Sequence, residues 1–283
     1  MRRARWRSRT KPVVVGVDGS EDSVRAAAWA VAEVGHRSAP LRLVIVNDDP
    51  ARADYAEKAV QKAAAKCRAQ APHLNIDAEA VSGHPVEELL RRSAEAQLVV
   101  LGKRGQGGFT DALLGGVSSA VATHASCPVV VVRKGVPTTV GPVVAGVDGS
   151  ESSLAALRFA FEEAAGRAAE LVVMQVWREE GLLAVPLPPF DRAKVQREIE
   201  RALAEQTAFL REEFPKVRTR EVAQRGHPVS ALADAGRDAQ LLVVGHRGRG
   251  GFDGLYLGSV AAGVLHHAPC PVAVVRSAEA AVS

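Results

Sequence analysis

The residues best suited to chemistry lie in two glycine-rich stretches. One runs from Gly245 to Ser259 with the spacing Gly-x2-Gly-x9-Gly-Ser, carried by Gly245, Gly248, Gly258 and Ser259. A near-copy runs from Gly102 through Gly105 and Gly115 to Gly116. Each stretch follows an apolar run (98–101, 241–244) that reads as a buried strand. Val260, Ala261, Val264 and Leu265 then follow at the spacing of a helix with one apolar face. A glycine turn between strand and helix lets bare backbone N–H groups approach an anion. The first N–H groups of a helix have no intrahelical partner and sit at the positive end of its dipole, so phosphate is the usual occupant. Tight turns alone also recruit glycine, but the same motif in the same setting twice favours phosphate. Ser259 would cap its helix or give a hydroxyl to a phosphate oxygen. The first stretch has Gly116 at that place, which keeps the N–H and lacks the hydroxyl.

Asp18 and Asp148 stand at the carboxyl ends of the first strand signals, each in the sequence Val-Asp-Gly-Ser. Such an aspartate can bond to its own backbone as a turn former. It can also contact a ribose, an adenine edge or a metal, because ligands of open parallel sheets bind beyond the strand carboxyl ends where strand order reverses. Asp18 meets Gly102 across one crevice if strands one and four are neighbours. Arg104 and Arg247, inside the glycine turns, could pair with phosphate or lie solvated. His84 and His227 precede prolines and read as turn or cap elements. His124, His266 and His267 have no carboxylate at ligand spacing, so no metal site is expected. Cys127 and Cys270 introduce the last strands as small buried thiols.

Three chemistries are missing. Neither stretch has Gly-x4-Gly-Lys-Ser/Thr, so the lysine of a Walker-type NTPase is absent. Gly248, Gly250 and Gly254 approach a dinucleotide turn, but they follow the fourth strand and no ribose-binding acid ends the next one. No Ser-His-Asp or Cys-His set falls on strand ends, and there is no nucleophile elbow.

The elements that must position these residues come as a repeat. Val13–Ser20 recurs as Val143–Ser150 at an offset of 130, whereas Gly83-His84-Pro85 recurs as Gly226-His227-Pro228 at an offset of 143. About 13 residues are therefore added between Val176 and Gly226, and the place expected is 179–191, with Pro186, Pro188 and Pro189. A period this long denotes a duplicated domain and not a solenoid. In the first half, strands are expected over 12–17, 41–46, 76–81, 98–101 and 128–133, with helices over 21–35, 51–71, 85–96 and 116–125. In the second, strands are expected over 142–147, 170–176, 217–223, 241–244 and 271–276, with helices over 151–167, 192–214, 228–238 and 259–268. This alternation implies an α/β fold of two tandem, doubly wound, five-stranded parallel sheets with right-handed crossovers. The expected division is a basic arm over 1–11, a first domain over 12–134, a linker over 135–141 and a second domain over 142–283.

Bulk composition agrees with two domains: 283 residues, 47% hydrophobic and 4% aromatic, leave Val, Leu and Ala to pack helices on a parallel sheet. The net charge of +4 misleads, because residues 1–11 contain six basic residues and no acid. Without that arm 30 basic residues face 32 acidic ones, a net of −2 that does not predict nucleic-acid binding. Arg2-Arg3 is followed by no apolar segment of signal-peptide type, and no window reaches the ~18 apolar residues of a membrane span. Three cysteines, an odd number without metal spacing, suit reduced thiols and a cytoplasmic setting.

The pattern resembles the universal stress protein family in its tandem-domain, ATP-binding form, over 12–276. The resemblance rests on Val-Gly-Val-Asp-Gly-Ser at 15–20 and 145–150, the two glycine stretches, and Cys-Pro-Val before each final strand. It implies a strand order of 3-2-1-4-5 with helices on both faces, and ATP, with Mg²⁺, as a regulatory or sensed ligand. Asp18 and Asp148 would hold the adenosine side above Gly16 and Gly146, while Val46 and Val176 would meet adenine through backbone groups. Gly102, Arg104, Gly105, Gly115, Gly116 and Val117 would wrap the phosphates in the first half; Gly245, Arg247, Gly248, Gly258, Ser259 and Val260 would do so in the second. Gly107, Gly108, Gly250 and Gly251 would extend the turns. Gly116 departs from the family pattern, so the first site is expected to be the weaker. No general base or γ-phosphate lysine is in view, so efficient turnover is not expected. The alternatives are a slow ATPase and an interaction scaffold that binds no nucleotide. The expected assembly is an intrachain pseudo-dimer formed through the last strands, with the chain itself a homodimer.

Overall fold

The computed structural model describes residues 11–105, 114–133, 140–178, 191–249 and 257–277. They fall into two compact units, Met1–Lys134 and Gly135–Ser283.

The first unit contains strands β1 (Val13–Val17), β2 (Leu41–Asn47), β3 (Ile76–Ser82), β4 (Leu98–Gly102) and β5 (Val129–Val132). Its helices are α1 (Glu21–Arg37), α2 (Ala53–Gln70), α3 (Pro85–Ser93) and α4 (Gly116–His124). The strands are parallel in the order β3-β2-β1-β4-β5, with α1 and α2 packed together and α3 packed on α4. The second unit repeats this with β6 (Val143–Gly146), β7 (Leu171–Trp177), β8 (Thr219–Arg225), β9 (Leu241–Gly245) and β10 (Val272–Val275). Its helices are α5 (Glu151–Arg167), α6 (Arg192–Glu213), α7 (Pro228–Ala235) and α8 (Ser259–His267). The order β8-β7-β6-β9-β10, again parallel, is the same doubly wound arrangement. The 3-2-1-4-5 order expected of each half is therefore the one found.

Burial explains why these segments form these elements. Val13, Val15, Leu41, Leu43, Leu98 and Val100 are all fully buried, as are Val143, Ala145, Leu171 and Leu241. A sheet covered by helices on both faces needs apolar side chains on both sides of its central strands, hence the near-continuous Val and Leu runs. The Ala26, Ala27, Ala30 and Val34 stripe of α1 is buried, and small residues let the helix approach the sheet closely. Ser20 and Ser150 cap α1 and α5 by accepting the N–H of Ser23 at 3.2 Å and of Ser153 at 3.3 Å.

Some boundaries differ from the sequence reading. A short 3-10 turn at Pro50–Arg52 precedes α2, because Asp49 accepts the Ala51 N–H at 2.9 Å and proline cannot donate. Helix α3 stops at Ser93, whose hydroxyl turns back onto the Leu90 carbonyl at 2.7 Å. Strand β8 starts two residues later than expected, since pairing with β7 sets Leu171 opposite Thr219. The linker expected over 135–141 and the insertion expected over 179–191 lie mostly outside the described residues.

Gly102 and Gly245 end β4 and β9 under the first turns of α1 and α5. A Cβ at Gly102 would stand 2.6 Å from the backbone carbon of Asp22, and one at Gly245 would stand 2.8 Å from that of Ser152. Backbone cannot swing aside as a side chain can. Gly102→Ala and Gly245→Ala are each expected to cost about 1–3 kcal/mol in denaturant unfolding. Gly116→Ala, whose Cβ would meet nothing within 4 Å, should cost nothing.

Candidate functional site

The switch point in the strand order of each unit makes the crevice. Strand β1 pairs with β2 on one side and β4 on the other, bringing the turns after β1 and β4 together; β6, with β7 and β9, does the same. A cleft of about 640 Å³ opens there in the first unit, and one of about 490 Å³ in the second.

Asp18 and Asp148 anchor these clefts. The Ser20 N–H donates to Asp18 Oδ1 and the Ser150 N–H to Asp148 Oδ1, both at 3.0 Å, so each aspartate does form its own turn. Each also faces the glycine turn. The Arg249 N–H donates to Asp148 Oδ2 at 2.9 Å, and a Cβ on Gly105 would stand 2.5 Å from Asp18 Oδ2. A Cβ on Gly248 would likewise collide with Asp148 Oδ2. Glycine is required here because the carboxylate already occupies the space of a side chain. The capping serines add a second tie: Ser20 Oγ donates to the Arg104 carbonyl and Ser150 Oγ to the Arg247 carbonyl, both at 3.3 Å. Ser152 Oγ also donates to the Arg247 carbonyl.

The anion-receptive part is the start of α4 and of α8. The Gly115 N–H closes the base of its turn on the Lys103 carbonyl at 2.9 Å, and Gly258 closes on the His246 carbonyl at 2.7 Å. The first backbone bonds inside the helices run from Ser119 to Gly115 and from Ala262 to Gly258, both 2.9 Å. The N–H groups of Gly116, Val117 and Ser118, and of Ser259, Val260 and Ala261, thus have no partner within their helices, and all six residues line the clefts. Neither first turn contains an acid that would neutralise the dipole.

The cap position of α8 belongs to Gly258, in extended conformation and with no side-chain cap. Ser259 is the first helical residue and is exposed. The capping role considered for it therefore falls away, and the residue lines the cleft. His84 and His227 stand at the cap positions of α3 and α7, but their rings make no capping bond.

Gly16 and Gly146 line their clefts, with Leu101 and Leu89 packed against the first and Leu232 against the second. Val46 and Val176 lie near the ends of β2 and β7 and line the walls, as do Gly102, Arg104, Gly105 and Gly115 in one cleft and Gly245, Arg247 and Gly248 in the other. Gly107, Gly108, Gly250 and Gly251 lie outside the described residues.

The sequence reading missed several residues. Ser23 and Ser153 line the clefts and hold the capping turns, each hydroxyl donating to the Ser20 or Ser150 carbonyl at 2.9 Å. Their recurrence at an offset of 130 could have revealed them. Ser118 donates to the Gly102 carbonyl at 2.7 Å from a buried position, where the second unit has Ala261. The mouths also differ: Asp48 and Tyr55 line the first, with the Arg52 guanidinium 5.1 Å from the Tyr55 ring centre, whereas Arg178 and Arg249 line the second. No repeat signals Tyr55, because its counterpart is Glu198.

Burial pushes the Asp148 carboxyl up, but hydrogen bonds from Ser150, the Arg249 N–H and Ser153 outweigh it and hold the pKa below the usual value. Asp148 is therefore ionised at neutral pH. Cys67, Cys127 and Cys270 are free and buried, and burial pushes the Cys127 thiol up to about 12. A thiol so held is protonated and inert as a nucleophile. Among the described residues there is no group of three or more His, Cys, Asp or Glu that could hold a metal, and no helix is long and apolar enough to cross a membrane.

Two doubly wound units, each with an aspartate facing a glycine turn and a bare helix start, define a duplicated α/β protein with one anion-receptive crevice per unit. The profile of the Universal stress protein family matches residues 9–133 and 139–276, and the chain belongs to that family in its tandem two-domain form. A universal stress protein of Mycobacterium tuberculosis is 37% identical over 286 residues, covering 93% of this chain and 96% of its own. One from Mycolicibacterium smegmatis is 36% identical over 287 residues, with the same coverage of 93% and 96%. The crystal structure of a universal stress protein from Archaeoglobus fulgidus shares the fold, with a TM-score of 0.69 at 20% identity over 94% of this chain and 96% of that one.

Proposed function

We propose that this protein binds ATP in both crevices and acts as a nucleotide-dependent regulatory or sensing protein of the stress response. The observation that supports it best is the meeting, in each unit, of an aspartate on the first strand's turn with the glycine turn and open N–H groups that start the fourth helix. The residues present fit the ligand. A cleft of about 640 or 490 Å³ accommodates a nucleotide, Gly105 and Gly248 leave room for the Asp18 and Asp148 carboxylates, and the helix starts supply donors without a competing acid. Asp18 and Asp148 would face the ribose, Val46 and Val176 the base, and the starts of α4 and α8 the phosphates, joined by Arg104 and Arg247. Mg²⁺, which is commonly held by substrate phosphates with few protein ligands, fits a cleft that brings its own carboxylate sparingly. Neither glycine stretch carries a Walker-type lysine, so the reading is of a sensed ligand and not of a rapidly hydrolysed one. Reduced, buried thiols accord with a cytoplasmic location, and a homodimer of the chain belongs to the same reading.

Mass spectrometry of the nucleotide released on denaturing freshly purified protein, followed by calorimetric titration with ATP, tests this; empty protein that takes up no ATP would overturn it. The two sites should differ. Gly116 offers no hydroxyl where Ser259 does, and a hydrogen bond to a charged group is worth about 1.5–3 kcal/mol, partly recoverable by water. Nothing within 4 Å obstructs a side chain at Gly116. Gly116→Ser is therefore expected to tighten the first site roughly tenfold, read in the same titration.

A further inference from the structure

A second concavity lies between α1 and α2 in the first unit. It measures about 440 Å³ and shares Val17, Ser23 and Tyr55 with the nucleotide cleft. Its floor is apolar, from Val17, Val24, Ala59 and Ala63, and its rim is cationic, from Lys58, Lys62 and Lys66. The three lysines are exposed and stand four residues apart on α2, one above another along about 12 Å of helix. None of them has a hydrogen bond or an ion pair among the described residues. One acid, Glu21, also lines the groove; it is 87% exposed and is drawn to Arg25 at 3.5 Å. Arg25 is held in turn by Asp22 at 2.5 Å. The row is peculiar to this unit. The matching positions of α6 are Arg201, Glu205 and Phe209, where Arg201 is paired with Glu205 at 2.8 Å and Phe209 is 67% exposed.

We infer that this groove docks an acidic, amphipathic segment of a partner protein, its carboxylates over Lys58, Lys62 and Lys66 and its apolar side chains on the Val24–Ala63 floor. Charge complementarity selects an anionic occupant, since three cations in a row without an ion pair among the described residues favour negative charge at matching intervals. The floor narrows the choice: a polyphosphate or nucleic-acid backbone would leave it uncovered, and a lipid surface needs a convex apolar face where this one is concave. A helix with glutamate at every fourth position repeats at the same rise as the lysines and presents apolar residues alongside them. Because exposed charges are screened by salt, the association is weak and falls as ionic strength rises.

The test uses the full chain without nucleotide, so that it stands apart from the ATP reading. A fluorescent peptide with glutamate at every fourth position and leucine beside it is titrated with the protein, and its anisotropy is followed. Binding that drops about tenfold or more in Lys58→Gln/Lys62→Gln/Lys66→Gln, but not in Arg201→Gln on α6, supports the proposal. All the substituted side chains are exposed, and an unchanged melting temperature confirms that the triple variant folds. Equal binding by the triple variant, equal loss in Arg201→Gln, or tighter lysine-dependent binding of polyphosphate, duplex DNA or phosphatidylserine vesicles would each overturn it.

Discussion

Taking the protein from pH 7 to pH 4 is expected to cost the second unit about 3 kcal/mol of stability through one side chain, His246. The ring is 3% exposed, and neither of its nitrogens has a hydrogen-bond partner. Burial, and then the charges of Arg276 and Arg247, lower its pKa from 6.5 to about 4, with the Val275 backbone acting in the opposite direction. The folded state thus prefers the neutral ring. The contribution is complete above the unfolded pKa of 6.5, declines as the pH falls from there toward 4, and changes little below that. At about 1.4 kcal/mol per unit the shift amounts to about 3 kcal/mol, or a fall of roughly 6–12 °C in melting temperature. His246→Leu removes the titration and both unpartnered nitrogens. Melting curves between pH 4 and 7 should therefore be markedly flatter for the variant than for the wild type. Parallel curves would show that another group is responsible. Asp148, with its pKa lowered, acts in a separate window: its contribution is present above the unfolded carboxylate value near 4 and is lost only below it.

Asp148→Ala should weaken ATP binding in the second cleft by about a hundredfold, the largest effect expected of any one substitution on ligand binding. Two consequences combine. The carboxylate expected at the ribose disappears, and so does the acceptor that ties the Arg249 N–H to the turn after β6 at 2.9 Å. Hydrogen bonds to a charged group contribute about 1.5–3 kcal/mol each, so losing one and slackening the glycine turn gives an effect of this size. Asp18→Ala should cost the protein less, because the first cleft lacks the hydroxyl of Ser259. Calorimetry on both variants decides the order, and a greater loss from Asp18→Ala would reverse the ranking of the two sites. Asp148→Asn separates the roles: it keeps an oxygen for the Arg249 N–H and removes the charge.

Much of this molecule can be read from its residues because the fold depends on burial and the burial pattern is repeated. Val-rich runs at 13–17, 41–47 and 98–102 have no stable place except between two helical layers, and the doubled Val-Asp-Gly-Ser marks where the sheet reverses. Boundaries were less legible where polar residues decide them. Strand β8 reads Thr-Arg-Glu-Val-Ala-Gln-Arg, so its start is set by its partner β7 and not by its own hydrophobicity. The role of Ser259 was misread in part, because a serine before a helical run looks like a cap, whereas Gly258 takes that place with the right backbone conformation. His246 could not be singled out from the chain at all. It fills a variable place of the glycine stretch, and its character comes from burial and from Arg276, which is brought near because β10 lies beside β9. The lysine row of α2 shows the opposite case, a plain helical spacing whose meaning depends on the apolar trough that α1 completes.

The hydroxyl of Ser20 accepts from the first turn of α1 while donating to the carbonyl of Arg104, and Ser150 does the same between α5 and Arg247. A single oxygen therefore ties the start of a helix to the glycine turn. Displacing the loop that follows β4 or β9 withdraws the acceptor from that hydroxyl and leaves the neighbouring helix with a weakened first bond. A ligand that shifted the loop would be expected to alter backbone protection at the start of the helix beside it, read by hydrogen exchange.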